Sequence, residues 1–214
     1  MQSIVSLSFL SAALLFSHNL NANTLPKTCS KTCASTFGKK LGENKGIIGY
    51  SNCNNDCESD EWNIINIGQQ AHKTGMKWQC VEYARRWYIK QLGYTFASID
   101  HAYEIWDLEH ASKLASETTL KWIKFPNGNT TGKPRVNDLL IYNKQQGIHG
   151  HVSVIVKVSN DEVYIAEQNY TNSLWEEDSY ARKIPLVHHQ NGYYSLKDLG
   201  VIGWMRLNLK DNQQ

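Results

Sequence analysis

Neither sign of charge dominates this 214-residue sequence: 22 Lys and Arg stand against 20 Asp and Glu, a net charge of +2. That balance offers no electrostatic footprint for nucleic acid, and no run of like charges forms an interaction tail. Long apolar runs are missing too. The longest apolar-leaning stretch, 4–16, has 13 residues, too few to cross hydrocarbon, so no stable membrane span is expected. There is no internal repeat, which excludes a solenoid or array. His188 and His189 are adjacent but have no Cys or carboxylate at ligand spacing. Neither a metal nor another cofactor is expected.

The apolar stretch is followed by small and polar residues, with Ala22 at a plausible cleavage point, so 1–22 reads as a secretory signal peptide. The protein is then expected to be secreted or periplasmic. Cysteine usage agrees with that compartment. Cys29, Cys33, Cys53 and Cys57 form two C-x-x-x-C pairs, and Cys80 is left over. An oxidising compartment favours disulfides over zinc for the four, and bridges between the pairs are preferred because joining two cysteines four apart on one helix strains the bond. The expectation is a stapled extension over 23–60 leading into one catalytic domain over 61–210. Within it the Gly- and Asn-rich run "GENKGIIGYSNCNNDC" reads as loop and turn.

After Cys80 the apolar positions Val81, Ala84, Tyr88 and Leu92 recur at steps of three and four, and Gly93 supplies a C-cap, so 79–92 is predicted helical. A second helix is predicted over 102–115. Beyond Pro134 the texture turns to strands: "NDLLIYN", "GHVSVIVKVS", "EVYIAEQN" and "VIGWMRLN". Helices first and strands later imply an α+β fold with N-terminal helices packed on an antiparallel sheet.

Cys80 thus opens a helix, where orphan amides and the helix dipole favour the thiolate, the reactive form of cysteine. In "HVSVIVKV" strict alternation puts His151 and Ser153 on one face and the valines on the other. A two-residue turn into the next strand would set Glu167 across from Val154. A three-residue turn of Ser159, Asn160 and Asp161 sets Glu167 across from Ser153 and His151 across from Asn169, and avoids pressing a carboxylate against valines. The three-residue turn is therefore expected. On that face Glu167 can orient His151, and His151 can pair with Cys80. Backbone amides at the helix start, helped by the Gln79 side chain, could hold an oxyanion. Singly these residues are commonplace. Together they describe a thiol hydrolase that cuts an amide through a thioester. Seven Trp and eleven Tyr leave aromatic side chains available to line its cleft.

The motifs "GMKWQCVEYARRW", "FPNGN", "NDLLIY", "GHVSVIVKV", "IAEQN", "GYYSLKD" and "IGWM" resemble the amidase domains of glutathionylspermidine synthetase/amidases, members of the CHAP group of cysteine amidohydrolases and peptidases. The likeness starts near Phe37 and implies a papain-like CHAP fold with Cys80 as nucleophile, His151 as base and Glu167 as the triad acid. It also implies places near the substrate for Gln79, Arg85 and Asn169. Because it covers the amidase part alone, no ATP site is expected. Export points to peptidoglycan or a related peptide as substrate, the motif likeness to a glutathionylspermidine-like glycyl–polyamine amide. A module that binds a cell-wall peptide or partner without catalysis is the third possibility.

Overall fold

The computed structural model describes Cys29 and residues 32–209, so the expected signal peptide lies outside the described residues. In chain order come β1 (Lys40–Asn44), β2 (Ile47–Tyr50), β3 (Trp62–Ile67), β4 (Gln70–Met76), helix α1 (Cys80–Leu92) and β5 (Tyr94–Thr95). A 3-10 turn, Ala102–Asp107, precedes β6 (His110–Lys113), β7 (Thr119–Pro126), β8 (Leu139–Tyr142), β9 (His151–Val158) and β10 (Glu162–Ala166). Last are β11 (Arg182–His188), β12 (Tyr194–Leu196) and β13 (Val201–Leu207). The last nine strands form one antiparallel sheet in the order β12-β11-β10-β9-β8-β13-β7-β6-β5, and β1-β2 and β3-β4 are separate hairpins.

The α+β class and the antiparallel sheet agree with expectation, and the order of elements does not. Four strands precede α1, the single α-helix among the described residues. The predicted 102–115 helix is the 3-10 turn followed by β6. Only Ala102 and Ile105 of the turn are buried, and from His110 the backbone bonds pair with β7, where Ala111 is buried between exposed neighbours. Sheet pairing outweighs helix periodicity there, because a short helix gains little until it packs. The supposed loop over 42–50 is also structured. It is the β1-β2 hairpin, closed by Lys45 and Gly46, both at positive φ as a tight hairpin turn demands. Its glycines make room for an aromatic ring: a Cβ on Gly42 or Gly49 would come within 2.3 or 2.5 Å of Trp175.

The sheet is buried on both faces around β8 and β9. Leu139, Ile141, Val152 and Val154 pack with Tyr83, Ala84, Trp87 and Tyr88 of α1. On the other face Leu140, Tyr142, Ile155, Val163, Ile165 and Trp204 form a second core. The alternation along β9 holds from His151 to Ile155, where Ser153 and Ile155 are as inaccessible as Val152 and Val154, but Val158 packs in the opposite core beside Ile155, so the valines do not all share one face.

The β9-β10 hairpin reaches the expected site register by an unexpected route. At the turn Val158 pairs with Val163 and the Ser159 amide bonds the Glu162 carbonyl, which is the two-residue turn. Further along, Ile155 pairs with Ile165 and Val154 with Ala166, so Val156 is bulged out and the register shifts by one. That single extra residue restores the alignment expected from a three-residue turn.

Cys29 is bonded to Cys57 and Cys33 to Cys53, which ties the segment before β1 to the one before β3. Gly42→Ala should push against Trp175 and destabilise the fold by about 2 kcal/mol. Thermal denaturation would check this, with a fall of roughly 5 °C in Tm expected.

Candidate active site

Gln79 stands at the N-cap of α1 with an extended backbone, and no side chain caps the first turn, so the orphan amides around Cys80 remain directed at the site. Cys80 is the free cysteine, 7% exposed. His151 is the first residue of β9, and its ring is hydrogen-bonded to Cys80. Its Nε2 lies 2.7 Å from Glu167 Oε2. A carboxylate only accepts, so Nε2 carries a proton and Nδ1 is the atom that meets the sulfur. Glu167 follows β10 directly, and its second oxygen, Oε1, accepts from Arg182 Nε at 2.7 Å. Arg182 continues the line: Nη1 donates to Asp198 Oδ2 at 2.5 Å and Nη2 to Tyr142 Oη at 3.0 Å, while the Tyr142 hydroxyl donates to the same Asp198 oxygen at 2.9 Å. Trp175 Nε1 donates to the Glu167 carbonyl at 3.1 Å, so the ring seated on the β1-β2 glycines also fixes Glu167.

The charges set one another. Burial opposes protonation of His151, but its hydrogen bonds to Cys80 and Glu167 outweigh burial and raise its pKa to about 9. For Glu167 burial pushes the other way, and His151 and Arg182 together hold it below the ordinary carboxylate value.

Gln79 and Asn169 join the same cleft. Asn169 Nδ2 donates to Gln79 Oε1 at 2.7 Å, and one Gln79 Nε2–H goes to the Cys57 carbonyl at 2.9 Å. Asn169 sits at φ 56°, a conformation that Asn tolerates, and accepts from Asn52 Nδ2. Arg85 lies further along α1. Its guanidinium bonds the carbonyls of Thr74, Phe96 and Ala97. These bonds tie β4 and the segment after β5 to the helix. Sequence reasoning passed over Arg182, Asp198, Tyr142 and Trp175, which no linear spacing connects. Pairing of Arg182 with Ile165 places it next to the acid, and that register was the signal needed. Among the described residues no group of three His, Cys, Asp or Glu is placed to hold a metal. No helix among them is long and apolar enough to cross a membrane.

Truncating Arg182 to Met leaves the buried Glu167 carboxylate with one partner fewer and should cost roughly 3 kcal/mol. Lys at 182 should recover little of it, because an ammonium cannot span Glu167, Asp198 and Tyr142 together. Chemical denaturation of the two variants checks both statements. His151 has a second consequence. Its folded value lies above the ordinary 6.5, so the stability gained by protonating it is complete below pH 6.5 and is lost as pH rises through about 9. The Tm advantage of the wild type over His151→Ala should therefore shrink across that interval.

Comparison with known proteins agrees with this arrangement. Residues 71–169 match the CHAP domain family, a span that contains Cys80, His151 and Glu167. The bifunctional glutathionylspermidine synthetase/amidase of Escherichia coli (strain K12) is 36% identical over 138 residues, 61% of this chain and 22% of that protein. Trypanothione synthetase of Crithidia fasciculata is 36% identical over 125 residues, 58% of this chain and 19% of its own length. Glutathionylspermidine synthase of the same organism is 29% identical over 141 residues. The chain thus spans about a fifth of the length of the curated relatives it matches. The likeness to the CHAP domain family covers a little under half of the chain and includes Cys80, His151 and Glu167.

Proposed function

We propose that the protein is an exported thiol amidohydrolase that cuts an amide bond in peptidoglycan or a related peptide through a cysteine thioester. The observation that carries the reading is the continuous line from Cys80 through His151 to Glu167, buried and charge-coupled at the start of α1. The two bridges upstream of it fit an oxidising compartment.

The thiolate of Cys80 attacks the scissile carbonyl carbon while the imidazolium of His151 stands at the sulfur. Negative charge moves to the carbonyl oxygen, within reach of the Cys80 backbone N–H and the second Nε2–H of Gln79. Collapse breaks the C–N bond, and His151 Nδ1 gives its proton to the departing nitrogen, leaving the acyl group on sulfur. Now neutral, His151 takes a proton from water as the water adds to the thioester. The C–S bond then breaks, releasing a carboxylic acid and restoring the thiolate–imidazolium pair. Throughout, Glu167 keeps Nε2 protonated and the ring in place, and Arg182 and Asp198 keep Glu167 in place.

A second substrate has its own support. The relatives' names concern glutathionylspermidine and trypanothione, and the cleft that His151 lines is also lined by Asp56 and Glu58, carboxylates suited to a cationic leaving amine. Incubating the protein with peptidoglycan sacculi and with glutathionylspermidine, and weighing the products, separates the two. Cys80→Ala and His151→Ala should each lower turnover by roughly 10⁴-fold or more on the true substrate. Cleavage of neither, or equal cleavage by Cys80→Ala, would end the enzymatic reading. In that case Cys80 should react with iodoacetamide no faster than an ordinary cysteine, as a non-catalytic binding module requires.

A further inference from the structure

Two hollows meet at Cys80 and share Glu58, Gln79, Cys80 and His149 as common wall. The larger, about 480 Å³, is lined by His151, Asn169, Tyr170 and polar loop residues. The smaller, about 110 Å³, lacks His151 and is lined by Trp62, Met76 and Ile99, with Arg85 and Asp100 also in its wall. Their chemistry differs, and the reaction gives each a direction. The leaving nitrogen must take a proton from His151, so the amine half of the substrate lies in the hollow that His151 lines. The acyl half then runs into the other one, along the β3-β4 hairpin.

That hairpin presents an exposed apolar pair, with Lys73 Nζ 5.5 Å from the centroid of the Trp62 ring. Trp62 and Met76 are directly opposite in the β3-β4 register, on the same face, and are 47% and 38% exposed. The hairpin that carries them is held to the nucleophile's helix. Asn63 Nδ2 and Thr74 Oγ1 both donate to Glu82 Oε1, at 2.8 and 2.7 Å, and Arg85 Nη1 donates to the Thr74 carbonyl at 2.6 Å. A Trp carried on a hairpin tied to the helix of Cys80 needs less ordering on binding than one on a free loop, so contact with it converts more efficiently into selectivity.

Resting on the hydrolase reading above, we propose that Trp62 and Met76 form the acyl-side subsite and select a substrate with an apolar side chain next to the scissile carbonyl. Arg85 lines the same hollow and shapes the subsite by holding β4 through the Thr74 carbonyl.

Acetylated aminoacyl chloromethyl ketones that differ only in the acyl-side residue test this on the full chain. Cys80 labelling is followed by mass, with Cys80→Ala as the blank. Wild type should be labelled by the Leu and Phe reagents roughly ten times faster than by the Glu reagent. Trp62→Ala should cut that preference about fivefold, and Met76→Lys should raise labelling by the Glu reagent. Melting temperatures, read alongside, show whether the variants stay folded. Labelling without an apolar preference, or a preference unmoved in folded Trp62→Ala and Met76→Lys, overturns the subsite and leaves the hydrolase reading standing. Failure of every reagent to label Cys80 overturns both.

Discussion

Glu167 is the group on which the site turns. The residue is 4% exposed, and a buried charge of this kind persists in a protein interior only when its oxygens are taken up by strong donors. His151 takes one oxygen and Arg182 the other, while Trp175 holds its backbone. Each partner has a separate origin in the chain: β9, β11 and a loop seated against the β1-β2 glycines. Moving any one of them would leave a buried charge short of a bond, a penalty of several kcal/mol against a total stability of about 5–15 kcal/mol. The triad geometry is therefore as well defined as the fold itself.

A second buried carboxylate does for the helix what Glu167 does for the imidazole. Glu82 is fully buried and accepts from Arg86 Nε, Thr74 Oγ1 and Asn63 Nδ2 on one oxygen, and from Arg86 Nη2 and Gln168 Nε2 on the other. Gln168 also donates to the Gln79 carbonyl at 2.9 Å. Gln168, beside Glu167, thus grips the residue before Cys80. Helix start, hairpin and β10 exit are one polar unit, and the distance between Cys80 and His151 is set by that unit together with the packing of α1 on β9.

The grouping of Cys80, His151 and Glu167 was legible because its parts obey local rules. Cys80 begins a helix whose apolar spacing and Gly93 cap are plain, and His151 opens a strand of alternating valines. The register leading to Glu167 was expected correctly but through the wrong turn: Val154 pairs with Ala166 because a two-residue turn and a bulge at Val156 add up to the same register as a three-residue turn. Requiring the carboxylate to avoid valines was sound physics, and it constrained the sum without constraining how the sum is made. The 102–115 segment misled for the opposite reason. Its spacing suits a helix, and the pairing of His110 with Lys121, visible to no local rule, decides for a strand.

What the sequence by itself determined is therefore the chemistry on offer: a lone thiol at a helix start, an imidazole and an acid on adjoining strands, and four further cysteines set apart from them. Local spacing suffices for those, because helix periodicity, strand alternation and hairpin register act over a few residues. Only tertiary structure decided who holds the acid and where the groove runs. Arg182 and Asp198 reach Glu167, Trp175 settles on Gly42 and Gly49, and Trp62 stands at the mouth of the second hollow through contacts between distant parts of the chain. Those contacts depend on how the sheet and hairpins close around α1, and no short-range pattern encodes that closure.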